Sequence, residues 1–191
     1  MKKYYDFFSN NYLDRTIWYK NSLRLKHYLF PRTNLSYAYL GIFPLLNKLN
    51  EQKDKRPFFV YAHIMMPHSP FYFDENGNRQ ITENKNLPLK IKYLKQLIFT
   101  NKLIYSTINQ ILANSKTEPI IIIQGDHGFR YLEDVGSIEK NREAHSILNA
   151  YYLPYGGNKV LNDSIRPVNT FRVILNYYFG MDLPMCQDLK P

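Results

Sequence analysis

Cysteine is almost absent: Cys186 is the only one in 191 residues. An internal disulfide and a cysteine-ligated metal cluster are therefore both excluded. Long hydrophobic runs are missing too, and no window approaches eighteen uninterrupted apolar residues, so no membrane-spanning helix is expected. The first residues, MKKYYDFFSNNYLDR, carry two lysines but no apolar core of a signal peptide. What the chain does have is 45% apolar and 16% aromatic residues, which is the composition of a packed domain and not of a disordered one. Its length suffices for one domain with a sizeable core.

The net charge of +9 is concentrated at the front, where residues 1–56 hold 11 basic and 4 acidic side chains. Such a segment suits nucleic acid, an anionic membrane or an acidic substrate. The basic residues are scattered, however, and no nucleic-acid motif accompanies them. A solvated, lysine-rich surface is the simpler reading. We divide the chain accordingly into a basic, aromatic lead-in over 1–56 and a main portion over 57–191. In the lead-in, Ile17, Trp18, Leu23, Leu25, Tyr28 and Leu29 suit a short helix ended by Pro31. Leu35 to Leu49 reads as a second helical stretch, broken near Pro44. EQKDKR at 51–56 reads as a solvated loop.

The centre of the chain is IIIIQGDHGFR, residues 120–130. Four isoleucines in a row predict a strand buried on both faces, as in a parallel sheet. Gly125 then breaks the run and delivers Asp126 and His127 at the strand's carboxyl end, where ligands of open α/β sheets collect. A carboxylate beside an imidazole there suits two ligands of a divalent metal. The alternative is a plain turn in which Asp126 caps the next segment.

PFFVYAH, 57–63, predicts another strand, leading into a loop stiffened by Pro67 and Pro70 and flanked by His63 and His68. Asp74 to Gly77 reads as a turn. Residues 89–114 predict a long helix, with Leu94, Leu97, Ile98, Ile104, Tyr105, Ile108, Ile111 and Leu112 on one face. Asn101 interrupts that face and reads as a buried amide. Strand 57–62, helix 89–114 and strand 119–124 together predict a right-handed βαβ crossover. That unit would bring His63, His68, Asp126 and His127 to one sheet edge. After Arg130 a polar loop carries Arg142, Glu143 and His145. ILNAYYLP, 147–154, predicts a strand and Tyr155 to Gly157 a turn. PVNTFRVILNYYFG, 167–180, predicts a helix with Pro167 in its first turn and Gly180 just past its end. The last residues read as an irregular tail.

QGDHG, residues 124–128, resembles the aspartate-histidine metal motif of the alkaline phosphatase superfamily, which includes sulfatases, phosphoethanolamine transferases, lipoteichoic acid synthases and phosphodiesterases. HIMMPHSPFY, 63–72, resembles the histidine loop that precedes it by one crossover in sulfatase-like members. ILNAYYLP followed by SIRPVNTFRVILNYYFG resembles the stretch closing many bacterial sulfatase-like membrane proteins. The resemblance covers roughly residues 57–183.

It implies an α/β fold, a three-layer sandwich with a mainly parallel sheet. Asp126 and His127 would bind a divalent metal, with zinc or manganese favoured by the donor pair and calcium or magnesium as further options. His68 would contact phosphate or sulfate oxygens or protonate the leaving group, with His63 as a second such residue. His145, with Arg142 near it, would bind substrate or a second metal. The superfamily's acidic ligand on its first strand, and the Thr, Ser or modified Cys nucleophile after it, have no counterpart in these residues. The chain therefore reads as the C-terminal part of an incomplete alkaline-phosphatase-like domain, whose partner would be a missing N-terminal half or a membrane-anchored protein. The implied activity is hydrolysis or transfer at phosphate or sulfate esters. A non-catalytic anion-binding or interaction module is the alternative. Relatives that work outside the cytoplasmic membrane are the only pointer to location.

Overall fold

The computed structural model describes residues 40–48, 57–80, 86–130 and 136–187. The helix expected over 17–29 and the loop over 51–56 lie outside the described residues, as do the ends of the stretch 35–49. Helix α1, Ile42–Asn47, runs through Pro44 instead of breaking there. Pro44 falls in the first helical turn, where an amide N–H would have no intrahelical partner.

Helix α2 occupies Leu89–Asn114, as its periodicity predicts. Its orientation differs in part from the expected one. Leu94, Ile98 and Tyr105 are exposed, while Gln96, Thr100 and Thr107 are buried. Asn101, expected as a buried amide, is exposed. Leu97, Ile104, Ile108, Ile111 and Leu112 of the expected face are half-buried, so the buried side of α2 is turned from the expected one and overlaps it. The inward stripe packs on a core of Phe43, Met66 and Phe73, against which Phe99, Leu103 and Ile104 also lie. Of its polar members, the Thr100 hydroxyl is satisfied within the helix, donating to the Gln96 carbonyl at 2.7 Å.

Strand β1, Ile121–Gln124, pairs antiparallel with β2, Asn149–Tyr152, in the register Ile121↔Tyr152 to Gln124↔Asn149. This two-stranded sheet is the sheet of the described residues. Residues 57–65, expected to begin with a strand, form no regular element, and the parallel crossover expected between them and β1 is not formed. The isoleucines of β1 are half-buried, not sealed on both faces. The architecture is thus α/β with a small antiparallel sheet. Antiparallel pairing follows from the return path. The chain leaves β1 at Gly125, folds helix α3 over Ser137–His145, and comes back along β1, so that the Gly125 amide donates to the Leu148 carbonyl at 2.8 Å. The stretch expected as a polar loop after Arg130 is therefore helical in its second part.

Helix α4, Pro167–Phe179, has the predicted ends: Pro167 in its first turn and Gly180 in the left-handed conformation at φ 63°. The turn expected at Tyr155–Gly157 is present, with Tyr155 and Gly156 at positive φ, and leads into a 3₁₀ turn, Gly157–Val160. The tail is irregular as expected, but anchored. Asn169 exchanges two hydrogen bonds with the Cys186 backbone, at 2.8 and 3.1 Å. No helix among the described residues is long and apolar enough to cross a membrane.

Candidate metal and anion site

Asp126 stands just past β1 with its side chain 91% exposed. Its Oδ1 accepts the His127 amide at 2.9 Å, the local capping role read from the sequence. Oδ2 remains, 3.8 Å from His127 Nε2. The His127 ring is oriented from behind: Nδ1–H donates to the Gly128 carbonyl at 2.7 Å. A carbonyl only accepts, so this bond places a proton on Nδ1, and in the neutral ring Nε2 then carries the lone pair. Metal-binding histidines are commonly held through their second nitrogen in this way. His68 and His145 are set alike, through Nδ1–H bonds to the Ser69 and Asn141 carbonyls.

The strand end is locked by a polar network. Gln124 Nε2 donates to Asn149 Oδ1 at 2.9 Å and to Thr170 Oγ1 at 3.0 Å, and Thr170 is fully buried. The Tyr151 hydroxyl lies 2.8 Å from the same Thr170 oxygen. β1, β2 and α4 are thereby joined immediately behind Asp126. On the other side the buried Gly128 donates its amide to the Ala144 carbonyl at 2.7 Å, which seats the loop on the end of α3.

One stripe of α2 reaches all three segments that carry His68, His127 and His145. Lys90 Nζ bonds Glu143 Oε1 of α3 at 2.7 Å. The Tyr93 ring lies 4.9 Å from that of Phe129 and 6.2 Å from that of Phe71. Burial, and secondarily the Glu143 charge, push the Tyr93 phenol above its ordinary pKa. Gln96 bonds the backbone of the His68 loop. Positions 90, 93 and 96 repeat every three residues and share a flank of the helix.

The structure brings Asp126 and His127 together, and no group of three or more potential metal ligands gathers among the described residues. His63, His68 and His145 thus do not join the pair in one ligand cluster. His63 is exposed, with its ring edge-on to Tyr61 at 6.4 Å. Arg142 is exposed on α3. The pair itself fits a divalent ion. A carboxylate oxygen and an imidazole nitrogen 3.8 Å apart can, with the ring neutral, share an ion bound at about 2.0–2.2 Å from each. They supply two ligands of the four that a tetrahedral centre takes.

Reading the sequence alone passes over Lys90, Tyr93 and Gln96. The helical spacing of the three was visible, but nothing marked the stripe as more than a solvated flank. The packing role of Gly128 had a signal, since the glycine belongs to the QGDHG motif.

No curated protein and no solved structure matches the chain. A family model described as Sulfatase matches residues 3–164, which is most of the chain, and this chain belongs to the sulfatase family.

Proposed function

We propose that this chain carries part of the active site of a metal-dependent hydrolase or transferase acting on phosphate or sulfate esters. The observation that carries the reading is the Asp126–His127 pair, with Nε2 of His127 3.8 Å from the Asp126 Oδ2. Asp126 and His127 would hold the ion, zinc or manganese by donor type. When bound, such an ion polarises an ester oxygen and lowers the pKa of a nucleophile. His68 would hold a non-bridging oxygen or carry a proton to the leaving group, with His63 second to it. Arg142 and His145, one turn of α3 apart, would bind the anionic substrate. The nucleophile and the other ligands would come from outside the described residues. The same reading places β1 in a larger, mainly parallel sheet of a three-layer sandwich.

A second reading, an anion-binding module without turnover, is favoured by the two-ligand count. Calorimetry with zinc and manganese tests the shared premise. Binding is expected, weaker than at a complete site, and at least about tenfold weaker again in Asp126→Ala, because half of the donor pair is gone. Binding indifferent to that substitution would remove the premise. Turnover of nitrophenyl phosphate and nitrophenyl sulfate separates the two readings. A metal-dependent rate lost in the Asp126→Ala, His127→Ala double variant would establish catalysis, and equal rates would leave the binding module.

A further inference from the structure

Gln96 is 1% exposed on the inward stripe of α2. Every hydrogen bond of its side chain goes to the backbone of one segment. Oε1 accepts the Tyr72 amide at 2.7 Å and the Phe73 amide at 3.2 Å. Nε2 donates to the Pro67 carbonyl at 3.2 Å and the His68 carbonyl at 3.0 Å. A residue that only filled space here would be apolar, because a buried amide without partners is costly. This one is satisfied at both ends, and its four partners straddle His68.

His68 itself is exposed, so no packing around the ring sets its direction. Its orientation is set through the main chain. Its amide donates to the Met65 carbonyl at 2.9 Å, and its Nδ1–H donates to the Ser69 carbonyl. The Ser69 carbonyl lies within the segment 67–73 that Gln96 clamps, and the His68 carbonyl is itself one of the clamped groups. We propose that Gln96 is the positioning residue for His68. By fixing residues 67–73 it holds the ring as the Nδ1–H tautomer, with Nε2 presented to an anionic ester or its leaving group. The clamp is independent of the function proposed above; the ester facing Nε2 rests on it.

The test uses the full chain with ¹⁵N-labelled histidine and amide exchange read by NMR. In the unsubstituted chain the Tyr72 and Phe73 amides exchange as slowly as central amides of α2, and His68 shows the Nδ1–H tautomer; fast exchange at both amides overturns the proposal. In Gln96→Met of unchanged circular dichroism, both amides exchange at least about tenfold faster. His68 then becomes a tautomer mixture while His127 keeps its signals. Unchanged His68 and amide signals in that variant overturn the proposal, since a space-filling role would give that result. Should Gln96→Met fail to fold, Gln96→Glu replaces it. Read at a pH where its carboxyl is ionised, the glutamate still accepts from Tyr72 and Phe73 but cannot donate to Pro67 and His68, so His68 alone loses its tautomer; retention of the tautomer there overturns the proposal. Inorganic sulfate added with zinc separates the two claims. A His68 Nε2 shift in the unsubstituted chain supports the ester site, and no shift, beside a clamp that behaves as stated, removes the ester site alone.

Discussion

At Gly128 a Cβ would lie 1.9 Å from the Glu143 carbonyl oxygen and 2.6 Å from that of Ser146. Both are backbone atoms of the turn that ends α3, so neither can swing aside as a side-chain tip would. The second glycine of QGDHG is thus required for space, one residue after the candidate ligand His127. Gly128→Ala should cost about 1–3 kcal/mol, the usual penalty of overpacking. Urea unfolding checks this, and an unchanged midpoint would mean that the loop and α3 are not in contact. Gln96 carries the opposite lesson. Glutamine on a helix is ordinarily a surface residue, and only the four backbone groups facing it make its burial favourable. Nothing in the one-dimensional pattern distinguishes Gln96 from the exposed Gln110 of the same helix.

Among the elements, the turn after the histidine loop is the most self-contained. Asp74 Oδ1 accepts the amides of Asn76 and Asn78, each at 2.8 Å, and Oδ2 accepts Asn78 Nδ2 at 3.0 Å. Gly77 supplies the positive φ of 86° that closes it. Burial by itself would raise the Asp74 carboxyl, but the hydrogen bonds from Asn78 and Asn76 outweigh it and hold the pKa below the ordinary value of 3.8. The folded state therefore binds the proton less readily than the unfolded one. Stability from this turn is present above about pH 4 and is lost as pH falls through the depressed folded value. The difference in urea midpoint between the unsubstituted chain and Asp74→Ala should accordingly shrink on acidification below pH 4. A difference that stayed constant would show that the carboxylate charge is not what the turn uses. The helices divide along similar lines. α4 was legible to its ends because Pro167 and Gly180 are local signals. α2 was legible in extent but only in part in orientation, because which residues turn inward depends on what faces them. α3 was not legible, since its nine residues, SIEKNREAH, have almost no apolar face.

On the scale of the whole molecule, a metal site ties chemistry to stability. An ion that binds the folded chain and not the unfolded one stabilises it by about 2.7 kcal/mol at a hundredfold excess over its Kd. Zinc at millimolar concentration should therefore raise the thermal midpoint of the chain. It should not do so in the Asp126→Ala, His127→Ala double variant. Equal shifts in both would assign the effect to ions bound elsewhere, at the four other histidines of the sequence or the surface carboxylates. The same scale explains why the parallel sheet expected from the isoleucine run does not follow from it. Four apolar residues mark a strand, but they do not say which neighbour it takes. Here the neighbour is β2, brought alongside by the return through α3.

By itself the sequence determined the long helix, the β1 and β2 segments, both ends of α4, the Asp74 turn and the adjacency of Asp126 and His127. All of these rest on interactions within a few residues along the chain, where periodicity, caps and turn residues act directly. The tertiary structure alone decided the antiparallel pairing, the inward stripe of α2, the burial of Gln96 and Thr170, and the separation of His63, His68 and His145 from the Asp126–His127 pair. Each of those depends on groups distant in sequence, and a buried polar side chain becomes favourable only when such a distant group arrives to satisfy it.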